Sequence, residues 1–262
     1  MPDDTPSPAA LEQNGLAQLQ QALTLCQNAL TQSPDLTTEG SLRRKCHELE
    51  RRLAAPFPWM SQAGQDRWID ERVFNRQTGG IFVEVGAFDG LNGSNTWFFE
   101  KFRNWRGLLI EPSPHWAAIC RGRRSVPCLQ AAAGGQSRTA HFVEVEQGYT
   151  MMSGLVDNYD ETLLGQVRDD PRFRGKEIEV QVRPLADMLR EHGIKKVDYM
   201  SLDVEGAEIE VLEAYPFDAI PVSVWSVENH DLKPEIDTIM TAAGYTRDAR
   251  IGVDDIWKRA PG

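Results

Sequence analysis

The sequence has few cysteines, and their spacing excludes a disulfide framework or a zinc site. The four are Cys26, Cys46, Cys120 and Cys128, and none belongs to a C-x-x-C pair. Scattered single thiols are typical of a reducing compartment. Residues 1–8 are polar and rich in proline, unlike a secretory signal peptide. We therefore expect a cytoplasmic protein with reduced thiols.

Long apolar runs and an excess of basic charge are also missing. No run approaches the roughly 18–20 apolar residues that a membrane-spanning helix needs. The chain carries 39 Asp and Glu against 28 Lys and Arg, a net charge of −11, whereas a nucleic-acid groove requires basic density. We expect neither a membrane span nor a nucleic-acid partner. The 262 residues, 41% of them apolar, are enough for one substantial core.

The first part of the chain predicts a helical appendage. Residues 1–8 are expected to be a disordered tail. Leucines recur at roughly helical spacing over residues 9–31, and a second, charge-rich helical pattern covers residues 38–54. We expect the two helices to form a hairpin over residues 9–56. Such a hairpin would be either a lid on its own domain or an element through which a homodimer forms.

From residue 57 to residue 262 we expect one domain in which strands and helices alternate, the pattern of a parallel α/β sheet. The predicted strands are 81–85, 106–110, 126–131, 197–202, 221–227 and 253–258. The predicted helices lie near 94–103, 114–121, 184–192, 206–214 and 232–243. The long connection 134–183 contains two alternating stretches, 139–146 and 177–183, which we expect to be added antiparallel strands. Connections of this length are usually functional.

The most informative segment is IFVEVGAFDG, residues 81–90, a buried strand that runs into a glycine turn. The spacing of Glu84, Gly86 and Gly90 differs from the G-x-G-x-x-G of dinucleotide-binding proteins, which disfavours a dehydrogenase. Gly86 would let the backbone turn sharply and approach a ligand closely. A strand, a glycine turn and a helix around an acidic residue predict a nucleoside pocket. S-adenosylmethionine is the nucleoside we expect there.

Further polar residues follow the second and third strands, at the sheet edge where parallel sheets bind ligands. Glu111 precedes Pro112 at about the offset at which an acidic residue meets a ribose diol. The alternative for Glu111 is a carboxylate that only marks the start of a helix. Ala131–Ala133 would lie beside an adenine ring or simply pack in the core.

The fourth and fifth strands are followed by a second polar group. Asp203 and Glu205 come after one strand, and Glu228, Asn229 and His230 after the next. Carboxylates at buried positions are costly without a partner, so we expect these side chains to converge at the mouth of the pocket. His230 is the candidate general base because its reference pKa is about 6.5. Asp203 and Glu205 are the alternatives.

Four segments, in order, resemble the FkbM family of S-adenosylmethionine-dependent methyltransferases. They are SQAGQD at 61–66, FVEVGAFDG at 82–90, IEP at 110–112 and LDVEGAE at 202–208. The resemblance covers about residues 60–258 and implies a doubly wound, seven-stranded Rossmann-like sheet whose last strand is antiparallel. The cofactor-binding residues it implies, which include the two turn glycines, are Glu84, Gly86, Ala87, Asp89, Gly90, Glu111, Pro112 and Asp203. Gln62, Gln65 and Asp66 would cap the pocket.

The expected reaction is methylation of a hydroxyl group on a sugar, a glycan or a natural product. Tyr149–Gly154 would either contact that acceptor or pack in the core. Asp203, Glu228 and Asn229 also resemble the ligand placement of magnesium-dependent, catechol-type O-methyltransferases, so Mg²⁺ is a second way to activate the acceptor. Two other functions stay open: N-methylation of a small molecule or peptide, and a non-catalytic nucleotide-binding scaffold.

Overall fold

The computed structural model describes residues 8–32, 34–53, 58–158 and 161–260. The expected disordered tail lies outside this part except for Pro8, and so does the junction expected at residues 56–57. The helices are α1 (Pro8–Leu30), α2 (Leu36–Leu53), α3 (Gln65–Trp68), α4 (Trp97–Arg103), α5 (Pro114–Arg123), α6 (Glu161–Asp169), α7 (Leu185–Glu191), α8 (Glu208–Ala214) and α9 (Pro234–Ala242). A π-helical turn, Ile69–Val73, continues α3.

The strands of the described residues form two sheets. They are β1 (Ile81–Val85), β2 (Arg106–Ile110), β3 (Cys128–Leu129), β4 (Ala132–Gly134), β5 (Arg138–Gln147), β6 (Gly154–Leu155), β7 (Arg174–Pro184), β8 (Val197–Leu202), β9 (Val222–Glu228), β10 (Tyr245–Ile251) and β11 (Asp254–Arg259). The larger sheet has seven of these described strands, in the order β10-β11-β9-β8-β1-β2-β3. β11 is antiparallel to both of its neighbours, and the other pairs are parallel. The predicted doubly wound sheet is confirmed.

The central strands are buried on both faces. Val83 and Met200 belong to the cluster on one side of the sheet, and Phe82 and Tyr199 to the cluster on the other. All four are fully buried, which explains why neighbouring residues in these strands, and not only alternate ones, are apolar. The strand order reverses between β1 and β8, and crossovers diverge at that point, so the carboxyl ends of these two strands flank an open crevice.

The long connection after β3 builds the smaller sheet, with the order β4-β7-β5-β6. β5 and β7 pair antiparallel over most of their length, as expected for the two alternating stretches. The chain leaves the larger sheet after Leu129 and enters the smaller one at Ala132. Of the strand predicted over 126–131, only Cys128–Leu129 is a strand, and β4 begins directly after the predicted end. Helix α6 and the short strand β6 were not predicted.

Helices α1 and α2 bury Leu23, Cys46 and Leu49 between them. The hairpin packs on the sheet through α2, where the Gly252 N–H donates to the carbonyl oxygen of Gly40 at 3.0 Å. The lid and dimer alternatives for this hairpin remain predictions. Among the described residues, no helix is both long enough and apolar enough to cross a bilayer.

Candidate functional site

A cavity of about 640 Å³ opens at the carboxyl ends of β1, β2, β8 and β9. This volume is typical of small-molecule sites. The expected residues that line it are Gly86, Glu111, Pro112, Ala131, Ala132, Ala133, Asp203, Glu205, Glu228, Asn229 and His230. The structure therefore brings most of the predicted strand-end residues to one place.

Gly86 lies in the turn after β1, where that turn comes close to the turn after β8. Its φ is +86°, a conformation that favours glycine. A Cβ at this position would lie 1.8 Å from the backbone oxygen of Asp203. Its N–H donates to the Ile110 carbonyl oxygen at 2.9 Å. The glycine is thus needed for the approach of the β1 turn to the β8 turn, as well as for the cavity wall it forms.

The carboxylate of Glu84 lies outside the cavity lining. It accepts hydrogen bonds from Ser94 Oγ (2.8 Å), the Asn95 N–H (2.7 Å) and Thr96 Oγ1 (2.6 Å). Arg124 Nη1 lies 3.4 Å from the same carboxylate. Glu84 therefore fixes the loop between the glycine turn and α4.

Ala87, Asp89 and Gly90 also lie outside the lining and support this loop. Ala87 is buried in the core. The carboxylate of Asp89 accepts two backbone N–H groups of the next turn and pairs with Arg123. A Cβ on Gly90 would lie 2.8 Å from Cys120 Sγ. The structure places these three residues around the turn and does not bring them to the cavity surface.

Glu111 is a buried carboxylate in the cavity wall. Its Oε2 accepts the Phe88 N–H and its Oε1 the Ser113 N–H, each at 2.8 Å. Ser113, rather than Glu111, caps α5 by accepting the Trp116 N–H. Burial raises the pKa of Glu111 to about 8. Each oxygen accepts one bond, which leaves capacity for a hydroxyl donor from a ligand.

Five carboxyl groups gather at the ends of β8 and β9: Asp203, Glu205, Glu208, Glu228 and Asp254. Burial, followed by the charge of Glu228, raises the pKa of Asp203 well above its usual value. Burial, followed by the charge of Glu205, does the same for the pKa of Glu228. The pKa of Glu205 rises to about 9 through burial and the charges of Asp203 and Glu208. This end of the cavity therefore favours positive charge or a shared proton.

The turn after β8 holds this acidic group in place. Glu205 and Gly206 both have positive φ, +53° and +107°. Glu208 Oε1 accepts the N–H groups of Val204 (3.0 Å) and Gly206 (3.2 Å). A strained non-glycine residue at a cavity wall is typical of functional turns.

Asn229 is committed to other residues. Its Nδ2 donates to Asp255 Oδ2 at 2.9 Å, and its Oδ1 accepts the Lys233 N–H at 2.7 Å. Within the described chain, no group of three or more His, Cys, Asp or Glu side chains is arranged to hold a metal ion. The structure therefore gives no support to the Asp203–Glu228–Asn229 magnesium site.

His230 lies at the rim of the cavity. About 75% of its side chain is exposed, and its Nδ1 lies 3.9 Å from Oδ1 of Asp231. The structure does not place its imidazole among the buried carboxyl groups, so its assignment as the general base stays a prediction.

Comparison with known proteins agrees with this geometry. Residues 84–247, more than half of the chain, match the family model described as the methyltransferase FkbM domain. The chain belongs to the FkbM methyltransferase family. Membership makes it a methyltransferase and implies S-adenosylmethionine as the methyl donor.

Individual relatives are distant. The methyltransferase sdnD of Sordaria araneosa is 24% identical over 206 residues, which cover 67% of this chain and 78% of that protein. The crystal structure of an FkbM methyltransferase from Methylobacillus flagellatus KT superposes with a TM-score of 0.44 at 14% identity, covering 94% of this chain and 60% of that one. A SAM-dependent methyltransferase from Aquifex aeolicus gives a TM-score of 0.37 at 10% identity, covering 76% and 92%.

Two segments outside the strand ends complete the cavity of this FkbM methyltransferase. Gln62 and Gln65 line it as expected, whereas Asp66 is buried and accepts from Ser61 Oγ at 2.5 Å. Thr150, Met151, Met152 and Ser153, within the stretch Tyr149–Gly154, also form part of the wall. The contact of this stretch with an acceptor remains a proposal.

Among the lining residues that the sequence did not predict are Arg44, Asn95, Asn158 and Lys233. Arg44 is on α2, far from the sheet in sequence, so no strand-end pattern points to it. Asn95 follows Ser94 in the loop fixed by Glu84, and no sequence pattern marks it as a lining residue. Lys233 immediately precedes α9.

Proposed function

We propose that the chain is an S-adenosylmethionine-dependent O-methyltransferase that acts on a hydroxyl group of a sugar, glycan or natural product. The observation that carries the proposal is that Asp203 and Glu228 line one cavity together with three other carboxyl groups, each raising the pKa of its neighbours. The same cavity is also lined by Glu111 and by apolar side chains, which suit a nucleoside.

The residues present fit the cofactor. Glu111 would accept hydrogen bonds from the ribose hydroxyls. The small and apolar side chains Ala132, Phe142 and Leu155 line the cavity and would contact the adenine ring. The carboxyl groups near Asp203 would face the positive charges. When bound, S-adenosylmethionine supplies an activated methyl group on a sulfonium sulfur.

Asp203 and Glu228 would accept the proton of the acceptor hydroxyl. Two neighbouring carboxyl groups that raise each other's pKa hold one proton between them at pH values where isolated groups are ionised. The ionised oxygen of the pair can take the proton of an acceptor hydroxyl during attack. Positive charge beside the pair lowers its pKa and so keeps this oxygen available.

The remaining wall would select the acceptor. Gln62, Thr150 and Ser153 offer amide and hydroxyl groups, and Arg44 and Lys233 offer cationic ones. Such a set of donors and acceptors suits a polyhydroxylated molecule better than an apolar one.

N-methylation is the second candidate, because the same carboxyl groups would also attract an ammonium group. To decide, the protein is incubated with trideuteromethyl-labelled S-adenosylmethionine and matched sugars that carry either a hydroxyl or an amino group at one position. Tandem mass spectrometry then locates the label. We expect label on oxygen; label on nitrogen alone would establish the second candidate. Absence of both label and cofactor binding would leave the scaffold alternative.

The same assay tests the metal. We expect equal turnover in EDTA and in added Mg²⁺, since Asn229 is committed elsewhere. Loss of turnover in EDTA that Mg²⁺ restores would contradict this part of the proposal.

A further inference from the structure

Two buried amide oxygens in the cavity wall have no hydrogen-bond partner among the described residues: Asn95 Oδ1 and Asn158 Oδ1. A buried acceptor left without a donor costs about 1–3 kcal/mol. Such groups in a native structure therefore need an explanation. In a cavity wall, the simplest one is a donor that belongs to a ligand.

Asn95 is held rigidly in the cavity wall beside β8. It is only 7% exposed. Its Nδ2 donates to Ser201 Oγ at 2.9 Å, which fixes the amide and leaves Oδ1 unpaired. Ser201 lies on β8, two residues before Asp203. The amide of Asn95 is therefore anchored to the strand that ends directly before Asp203, one of the carboxyl groups that favour positive charge.

Asn158 lies where the apolar wall of the smaller sheet meets the turn after β8. It ends the 3₁₀ turn Val156–Asn158, directly after Leu155 of the smaller sheet. Its backbone oxygen lies 2.5 Å from where a Cβ on Gly206 would be, so this turn packs on the turn after β8. The cluster beside it contains Ala132 and Phe142, which form an apolar surface suited to a flat ring.

We propose that these two oxygens recognise the two N–H groups of the cofactor: Asn95 Oδ1 accepts from the α-ammonium group and Asn158 Oδ1 from the 6-amino group of adenine. The inference rests on the proposed function, because it takes the nucleoside to be S-adenosylmethionine. The ammonium group belongs beside the carboxyl groups, and the adenine amine belongs beside the apolar surface of Ala132 and Phe142. Each unpaired amide oxygen then receives a hydrogen bond from one amino group of the cofactor.

Calorimetry with S-adenosylhomocysteine and two analogues tests the assignment. One analogue replaces the α-amino group by hydrogen, and the other replaces the 6-amino group of adenine by hydrogen. The variants are Asn95→Leu and Asn158→Ala, with Asn92→Ala as a control because Asn92 lies outside the cavity and bonds Asp89.

Each variant should lose about tenfold in affinity only for ligands that carry its matching N–H group. Asn95→Leu should bind the α-deaminated analogue as tightly as the unchanged protein does, and Asn158→Ala should do so for the 6-deaminated analogue. Asn95→Asp, which keeps an acceptor oxygen, should retain the preference for the ammonium group if Asn95→Leu does not fold.

Equal losses with every ligand, or no loss, would overturn the inference while the proposed function stands. If the unchanged protein does not bind S-adenosylhomocysteine at all, the proposed function itself fails. The two failures are therefore distinguishable.

Discussion

At the scale of single residues, Gly86 shows how one position can join two strands and a ligand site. Its positive φ and its contact with the Asp203 carbonyl oxygen are separate constraints. Gly79 provides a matched control, since its φ is +74° and a Cβ there would meet no atom within 4 Å.

We predict that Gly86→Ala destabilises the protein by several kcal/mol and Gly79→Ala by about 1–2 kcal/mol. Gly79→Ala measures the backbone strain of an alanine with positive φ. The additional loss of stability in Gly86→Ala measures the clash of its Cβ with the Asp203 backbone oxygen, which cannot rotate away. Urea denaturation of both variants measures it. Equal losses would show that the approach of the two turns is looser than described.

Single substitutions also test which residue accepts the proton of the acceptor hydroxyl. We predict that Asp203→Asn and Glu228→Gln lower kcat by about 10²–10⁴-fold, whereas His230→Gln changes kcat by less than about threefold because its ring is largely exposed. Steady-state kinetics with the labelled cofactor makes the comparison. A larger loss in His230→Gln would restore the histidine as the base.

The sequence predicted which strand ends carry the site but not where each acidic side chain points. Glu111 and Glu84 both follow apolar residues of buried strands, yet one lines the cavity and the other binds the loop before α4. The difference depends on partners distant in sequence, such as Arg124. Asn95 and Asn158 could not be predicted, because an unpaired buried oxygen is a property of the folded cavity.

At the scale of elements, the hairpin of α1 and α2 contributes Arg44 to the cavity and contacts the β10–β11 turn through Gly40. A Cβ on Gly40 would lie 2.1 Å from the Gly252 carbonyl oxygen. By contrast, Gly15 of α1 has no atom within 4 Å of such a Cβ. The same substitution thus tests docking at one site and helix propensity at the other.

We predict that Gly40→Ala destabilises by about 1–3 kcal/mol through overpacking, while Gly15→Ala is neutral or stabilising by up to about 1 kcal/mol. Denaturation and limited proteolysis of the hairpin check this. Faster cleavage should accompany Gly40→Ala alone. An undiminished stability of Gly40→Ala would mean that the hairpin is not docked as described.

Elements buried in the sheet were the easiest to predict. The predicted bounds of β1, β2 and β8 match the structure, since each of these strands is mostly apolar. The edge strand β10 was missed because its sequence, YTRDARI, mixes charged residues into a strand with one exposed side. The division of residues 128–134 between two sheets depends on β7, more than forty residues later, so no local pattern indicates it.

At the scale of the whole molecule, the buried carboxyl groups make stability depend on pH. A carboxyl group whose pKa is higher in the folded than in the unfolded protein makes its full contribution to the stability of the folded state below its unfolded pKa of about 4. That contribution is lost as the pH rises through the folded value, about 8 for Glu111 and about 9 for Glu205.

We therefore predict that the Tm of the ligand-free protein falls between pH 6.5 and pH 8.5. Glu205→Gln should flatten the curve, since it removes one of these groups. Differential scanning fluorimetry at constant ionic strength measures both proteins. A constant or rising Tm over this range would contradict the burial of the acidic group.

The central claim is that a cavity at the carboxyl ends of β1, β2, β8 and β9 binds the nucleoside of S-adenosylmethionine through Glu111. Isothermal titration of S-adenosylhomocysteine into the unchanged protein, Glu111→Gln and the control Glu210→Gln tests it most directly. Glu210 also accepts a backbone N–H, from Gly135 at 2.8 Å, but lies outside the cavity. We predict binding that Glu111→Gln weakens about tenfold or more and Glu210→Gln leaves unchanged. Undiminished affinity in folded Glu111→Gln, or no binding to the unchanged protein at millimolar ligand, would contradict the claim.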